Sequence, residues 1–165
     1  MLLKIKEFLS SDAMSLKVNK NLVIDDKEFL EQTHLHKNVL LNGEIFKIEG
    51  SVIFTGTINY TFTDECARCL KEFGNVVESK FQALIVQHED KESDEIQLVM
   101  IDGIVKMDEP IKQLIYLSMP MKSLCKQDCK GICPNCGVNL NDEKCQCEND
   151  LTDPRFDELK DLLNN

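Results

Sequence analysis

Six cysteines fall within the 23 residues from Cys125 to Cys147, in "CKQDCKGICPNCGVNLNDEKCQC", and two more stand upstream in "CARC" as Cys66 and Cys69. Between Met121 and Asp150 the substantial aliphatic or thioether side chains are Met121, Leu124, Ile132, Val138 and Leu140 alone. So little apolar surface does not offset the entropy of ordering that stretch of backbone. A metal ion does. Zinc held by four thiolates contributes an apparent ~10–16 kcal/mol in small zinc-finger peptides at neutral pH.

The local chemistry points the same way. "CPNCG" is a knuckle, its Cys-x-x-Cys spacing folding both sulfurs toward one ion. Pro134 presets one backbone angle and Gly137 permits the left-handed turn that aims amides at the sulfurs. In "CQC" two residues on an extended strand face the same way. Cys133, Cys136, Cys145 and Cys147 therefore form a tetrahedral set. The remaining Cys66, Cys69, Cys125 and Cys129 divide off as a second. The competing arrangement has one zinc, with Cys125 or Cys129 replacing a member of the first set and the "CARC" thiols left free.

Compartment supports metal over disulfide. The opening "MLLKIKEFLSSD" has neither a long apolar centre nor a small-residue cleavage site, so it reads as mature, cytoplasmic chain. Thiols stay reduced there. No apolar run approaches the ~20 residues a membrane span needs. The formal net charge of −10 repels nucleic acid and anionic lipid on average, which argues against broad, non-specific RNA binding.

Catalytic readings fit poorly. A redox Cys-x-x-Cys needs a helix start in a thioredoxin-like setting, whereas "CARC" lies between strands. The spacings match no common ferredoxin. His34, His36 and His88 lie in β-rich sequence and in no catalytic signature. The chain reads as a non-enzyme.

The central part alternates as strands do. Val52, Phe54, Ile58, Tyr60 and Phe62 share one face of "SVIFTGTINYTFT", and Val77, Phe81, Ala83 and Ile85 one face of the next strand. "DECARCLKEFGN" between them puts Cys66 and Cys69 at a hairpin tip. Asn42-Gly43 and Asp102-Gly103 are turn signals. "HEDKESDE" is a solvated loop. "DEPIKQLIYLSMP" predicts a helix capped by Asp108, with an apolar stripe of Ile111, Leu114, Ile115 and Leu117, ending at Pro120. "DPRFDELKDLL" predicts a short terminal helix with Phe156, Leu159, Leu162 and Leu163 on one side. In residues 1–35, "DDKEFLEQ" reads as a short helix and "LLKIKEFL" as strand or helix.

The expected fold is α+β: an antiparallel, partly barrel-like sheet with a packed helix (residues 1–119), a zinc-binding appendage (120–150) and a terminal helix (151–165).

From Val39 onward, "CARCLKEF" after a long alternating strand, the "LSMP" helix end, the cysteine cluster and the final "DPRFDELKDLL" together resemble the YceD family of large ribosomal RNA subunit accumulation proteins. The resemblance implies a non-catalytic factor in ribosome biogenesis, acting on pre-ribosomal RNA or a large-subunit ribosomal protein. Some family members lack the C-terminal cysteines, which implies a stabilising role for metal in this branch. Arg68, Lys71, Lys122, Lys126, Lys130 and Lys144 surround the cysteines and would form one basic patch if the "CARC" hairpin meets the cluster. They would equally offset the charge of the metal sites, since each zinc with four thiolates carries a net charge of about −2. The alternative to an assembly factor is a thiol-based zinc or redox sensor.

Overall fold

A computed structural model of the chain describes residues 2–90 and 92–147. The strands are β1 (Leu2–Lys4), β2 (Ser15–Val23), β3 (Leu35–Ile48), β4 (Ser51–Glu65), β5 (Glu72–Val86), β6 (Gln97–Ile101) and β7 (Ile104–Lys106). The helices are α1 (Lys6–Ser10), α2 (Lys27–Thr33) and α3 (Asp108–Ser118). "LLKIKEFL" is thus both strand and helix. The expected helix at 151–165 lies outside the described residues.

The sheet runs β1-β7-β6-β5-β4-β3-β2. Its two edges are β1 and β2, joined through residues 5–14 alone. Within that link the backbone N–H of Ile5 binds Gly103 at one edge, and Met14 accepts from Lys47 N–H at the other. The sheet is curled into a half-barrel, and this short link joins its edges. Pairing is antiparallel except at β5–β6, where Leu84, Ile85 and Val86 run parallel to Gln97, Leu98 and Val99. This corrects the all-antiparallel expectation: the loop 87–96 carries the chain back across the sheet's end instead of reversing it beside β5.

Alternation sets the register. Val39 pairs with Tyr60, Leu41 with Ile58 and Ile45 with Phe54. Across the next boundary Tyr60 faces Val77 and Phe54 faces Ala83. Every pair puts apolar side chains on the same concave face, because side chains two apart share a side of the pleat. Asn42-Gly43 makes no turn. Gly43 pairs with Gly56 inside the β3–β4 ladder. A Cβ on Gly56 would land on the Asn42 carbonyl and within 2.9 Å of the Gly43 Cα, so both glycines serve close strand approach. The actual turn is Glu49-Gly50, both with positive φ (47° and 85°), the geometry of a tight hairpin. Asp102-Gly103 does turn as expected, with φ of 53° and 77°.

Helix α3 covers the concave face with Ile111, Leu114 and Ile115. The Tyr60 hydroxyl, in the core, donates to or accepts from Ser118 Oγ at 2.8 Å. Leu117, expected in the buried stripe, is 78% exposed. The cap position belongs to Met107, and Asp108 is the first helical residue, where its charge favours the positive end of the helix. Helix α2 is capped by Asp26, whose carboxylate accepts from Phe29 N–H at 3.2 Å. Among the described residues no helix is long and apolar enough to cross a membrane.

Candidate metal centres in two four-cysteine clusters

After α3 the chain leaves the sheet. Residues 121–147 contain no helix or named strand, only an isolated bridge from Ile132 to Asn139. What gathers there is close-set sulfur and backbone hydrogen bonding. The hairpin tip between β4 and β5 turns on Leu70 N–H bonding the Cys66 carbonyl at 2.9 Å, with Leu70 in the left-handed region at φ 58°. "CPNCG" repeats that geometry: Gly137 N–H bonds the Cys133 carbonyl at 2.9 Å, with φ 73°. The two Cys-x-x-Cys segments are the same knuckle, one ending in leucine and one in glycine.

The tip docks on the cysteine-rich segment by main-chain bonds. Ala67 N–H donates to the Ser123 carbonyl at 2.9 Å and Ile132 N–H to the Arg68 carbonyl at 3.1 Å. Arg68 returns the contact, its guanidinium donating to the Cys129 carbonyl at 2.9 Å and the Gln127 carbonyl at 3.4 Å. Each bond joins residues more than fifty positions apart in sequence.

These contacts bring the eight thiols into two groups of four, Cys66, Cys69, Cys125 and Cys129 in the hairpin site and Cys133, Cys136, Cys145 and Cys147 in the outer site. Within each, every sulfur lies within 4.8 Å of the others. No disulfide forms among them. The Cys66–Cys129 and Cys69–Cys125 separations are 3.7 and 3.6 Å. In the outer site Cys136–Cys145 is 3.6 Å and Cys133–Cys145 is 3.3 Å. A tetrahedron with metal–sulfur bonds of ~2.3 Å has edges of about 3.8 Å. The donor sets therefore fit a four-coordinate thiophilic ion, and each cluster can hold one.

The sites differ in setting. Cys66, Cys69 and Cys129 are buried, packed with Phe73 and Leu124 in a small cluster apart from the main core. In the outer site Cys133 is buried, Cys145 and Cys147 are half-buried and Cys136 is exposed.

Electrostatics favours a thiolate at the head of each knuckle. Backbone N–H groups, that of Cys125 foremost with those of Cys69 and Arg68, lower the Cys66 thiol to about 6. The N–H groups of Cys136 and Asn135 lower Cys133 to about 6. Cys125 and Cys147 are held protonated. Burial and the Cys69 sulfur push Cys125 up to about 12, and the neighbouring Cys145 and Cys136 sulfurs do the same to Cys147. Four thiolates cannot share so small a space without a cation.

Of the basic residues named from sequence, Lys71, Lys122, Lys126, Lys130 and Lys144 are exposed on the two joined segments. Arg68, also surface-lying, is spent on carbonyls. Asp64, Glu65, Glu72, Asp128, Asp142 and Glu143 lie in the same stretches. His36 is distant in role, its ring between the Thr61 and Thr63 hydroxyls at 3.0 and 3.1 Å.

Sequence reasoning missed Asn141. Its Nδ2 donates to Cys129 Sγ at 3.4 Å, and its Oδ1 accepts from Lys130 N–H at 2.9 Å. The available signal was an amide pair, Asn139 and Asn141, inside the loop between the two halves of the outer site.

Comparison with known proteins places the chain. An uncharacterized protein of Mycobacterium tuberculosis is 30% identical over 128 residues, 74% of this chain and 61% of that one. A Mycobacterium leprae protein, also uncharacterized, is 26% identical over 127 residues, covering 74% and 58%. Large ribosomal RNA subunit accumulation protein YCED homolog 1, chloroplastic, of Arabidopsis thaliana is 25% identical over 182 residues, covering 92% of this chain and 54% of its own. The chain thus spans less than two thirds of the length of these relatives. No solved structure matches it significantly. The model of one family matches residues 54–163, from β4 through both cysteine clusters. The chain belongs to that family, large ribosomal RNA subunit accumulation protein YceD.

Proposed function

We propose that this chain is a non-catalytic cytoplasmic factor that supports accumulation of large-subunit ribosomal RNA by binding a component of the assembling subunit. Zinc in both tetrathiolate sites is structural on this reading. In the hairpin site it clamps the appendage (120–150) to the hairpin of the β-rich part (1–119), and in the outer site it closes the appendage's own loop. The family description and the name of the Arabidopsis relative support the role.

The surface that favours a protein partner is the groove between α2 and α3. Its volume is about 470 Å³, with Phe29, Tyr116 and Leu117 among its lining. Tyr116 and Leu117 are 67% and 78% exposed, and adjacent large apolar side chains in solvent mark an interaction site. Asp26, Glu28 and Glu109 rim it, and its one amine, Lys112, is held by Asp26 and Glu109 at 2.7 and 2.9 Å. An apolar floor with a negative rim suits a basic segment carrying apolar side chains, the character of a ribosomal protein. It repels a phosphate backbone.

Cells deleted for this chain should lose large-subunit relative to small-subunit ribosomal RNA. The wild-type chain should restore it and a Tyr116→Ser, Leu117→Asp variant should not. Unchanged RNA in the deletion would remove the function; full restoration by the variant would remove the groove.

A second reading is direct RNA contact through the exposed lysines at the clamped tip, favoured by the joining of their two segments there. The six acidic residues alongside and the charge of two tetrathiolate sites weigh against it. Replacing Lys71, Lys122 and Lys126 with Ala should weaken RNA binding and flatten its salt dependence if the lysines meet phosphate. Unchanged affinity at every salt concentration would leave the groove as the contact.

A further inference from the structure

The two clusters are joined by more than chain. The loop 137–144, which separates the two halves of the outer site, folds back over the hairpin site. Leu140 N–H donates to the Gly131 carbonyl at 2.9 Å, and Ile132 bridges to Asn139. At the loop's inner edge the Asn141 side chain makes three contacts. Oδ1 accepts from Lys130 N–H at 2.9 Å, while Nδ2 donates to Asn139 Oδ1 at 2.8 Å and to Cys129 Sγ at 3.4 Å. These contacts fix which way the amide points. Exchanging its oxygen and nitrogen would set the oxygen against a sulfur and another carbonyl oxygen, and the NH2 against an N–H.

We propose that Asn141 is a positioning residue for the hairpin site held in place by the outer site, so that the outer metal ion governs how firmly the inner one is kept. The proposal rests on both clusters binding zinc. Cys133 and Cys136 precede the loop and Cys145 and Cys147 follow it, so an ion on these four sulfurs closes it as a ring. Without that closure the loop is held by hydrogen bonds alone: Gly137 N–H on the Cys133 carbonyl, Cys133 N–H on the Val138 carbonyl, Leu140 N–H on the Gly131 carbonyl and Lys130 N–H on Asn141 Oδ1. Its opening withdraws the N–H donor from Cys129. An N–H···S bond stabilises thiolate charge on a ligand, and outer-shell donors of this kind set metal affinity by about 10–100-fold. The outer site has an exposed ligand in Cys136 and the hairpin site three buried ones, so the outer ion is the first to leave. Its departure loosens the ion that pins the β4–β5 tip to the appendage. The coupling is reciprocal at equilibrium: emptying the hairpin site weakens the outer ion by the same factor.

The test uses full-length, zinc-loaded chain and needs no functional assay. Zinc per chain is measured by mass spectrometry, and release is followed colorimetrically after adding 4-(2-pyridylazo)resorcinol. Wild type should hold two zinc ions and lose them in two phases. A Cys136→Ser, Cys145→Ser variant should hold one, and that ion should leave about 10-fold faster than the wild-type slow phase. Asn141→Asp keeps Oδ1 for Lys130 and the shape of the side chain while replacing the donor to Cys129 with an oxygen. It should still hold two ions and show the slow phase accelerated about 10-fold, with the fast phase unchanged. Wild-type slow release in both variants, from one ion in the double-serine variant and two in Asn141→Asp, would overturn the coupling and leave the two-zinc reading intact. Fewer than two ions in the wild type would overturn that reading and the coupling with it.

Discussion

The sulfurs of Cys66 and Cys129 stand 3.7 Å apart across 63 residues of chain. Beside them Arg68 donates to the carbonyl of the same Cys129. A side chain and a sulfur from one knuckle thus seize one residue of the appendage, and the metal reading of the hairpin site makes this the point where sheet and appendage become one structure.

The matched knuckles give a first prediction. Leu70 occupies the position that Gly137 fills in the outer site, and both have positive φ. A non-glycine residue there is strained by ~1–2 kcal/mol. Leu70 is exposed, so little packing is lost on its removal. Leu70→Gly should stabilise the hairpin site by up to about 1.5 kcal/mol, after subtracting the ~0.4–1 kcal/mol entropy cost of a glycine in the unfolded chain. Thermal unfolding checks it; a lower melting temperature would show that the leucine carries packing that outweighs its strain.

At the glycine pair of the β3–β4 ladder the opposite substitution should harm. In Gly56→Ala the new Cβ meets the Asn42 carbonyl and the Gly43 Cα, both backbone, and backbone cannot rotate aside. A loss of about 1–3 kcal/mol is expected in denaturant unfolding. A neutral outcome would mean that the β3–β4 ladder tolerates opening there.

This glycine pair also shows what was legible in sequence. Period-two alternation of Phe54, Ile58, Tyr60 and Phe62 correctly assigned the core face of β4, because burial on one side of a sheet writes itself directly into residue order. Asn42-Gly43 gave a false turn, since a glycine that admits a partner strand and one that reverses the chain look alike until the partner is known. Leu117 fitted the helical stripe of α3 but faces the groove; periodicity reports an angle around the helix, not where packing stops. The parallel β5–β6 pairing left no mark in a loop of ordinary polar residues. At the clusters, eight cysteines divided by count into the two fours that the structure brings together, and the fold sets Cys125 and Cys129 beside the hairpin thiols and not in the outer four. Asn141 acts through a sulfur twelve residues away, which no spacing rule anticipates.

Acid stability should depend on the ion pair between α2 and α3. The hydrogen bond from Lys112, with the Phe29 N–H, holds the Asp26 carboxyl below its ordinary value. Because the folded pKa is the lower one, the stabilisation is fully present above the ordinary carboxylate range and is lost as pH falls through the folded value. Asn caps a helix about as well as Asp. Asp26→Asn should therefore keep the cap and lose the pair: stability falls at neutral pH, and the difference from wild type closes in acid. A pH-independent difference would assign the effect to the cap or to packing.

Zinc affinity should be strongly proton-linked. With Cys66 and Cys133 lowered to about 6 and Cys125 and Cys147 raised to about 12, each metal-free cluster at neutral pH carries both thiolates and thiols. Binding must displace the remaining protons, so apparent affinity rises with pH through neutrality. Below about 6 the knuckle-heading thiols protonate as well, and the dependence steepens. Calorimetric zinc titrations in buffers of different ionisation enthalpy measure the protons released. Release of none would contradict the tetrathiolate assignment.

The central claim is that metal on sulfur, and not apolar packing, orders residues 121–147 and fastens them to the β4–β5 tip. Limited proteolysis with metal counting, before and after treatment with a strong chelator under reducing conditions, tests it most directly. The account predicts two zinc ions per chain, protection of this segment while they are bound, and rapid cleavage between Met121 and Cys147 once they are removed, with the sheet intact. A chain that carries no metal as purified from reducing cytosol, and whose segment resists protease unchanged after chelation, would contradict it.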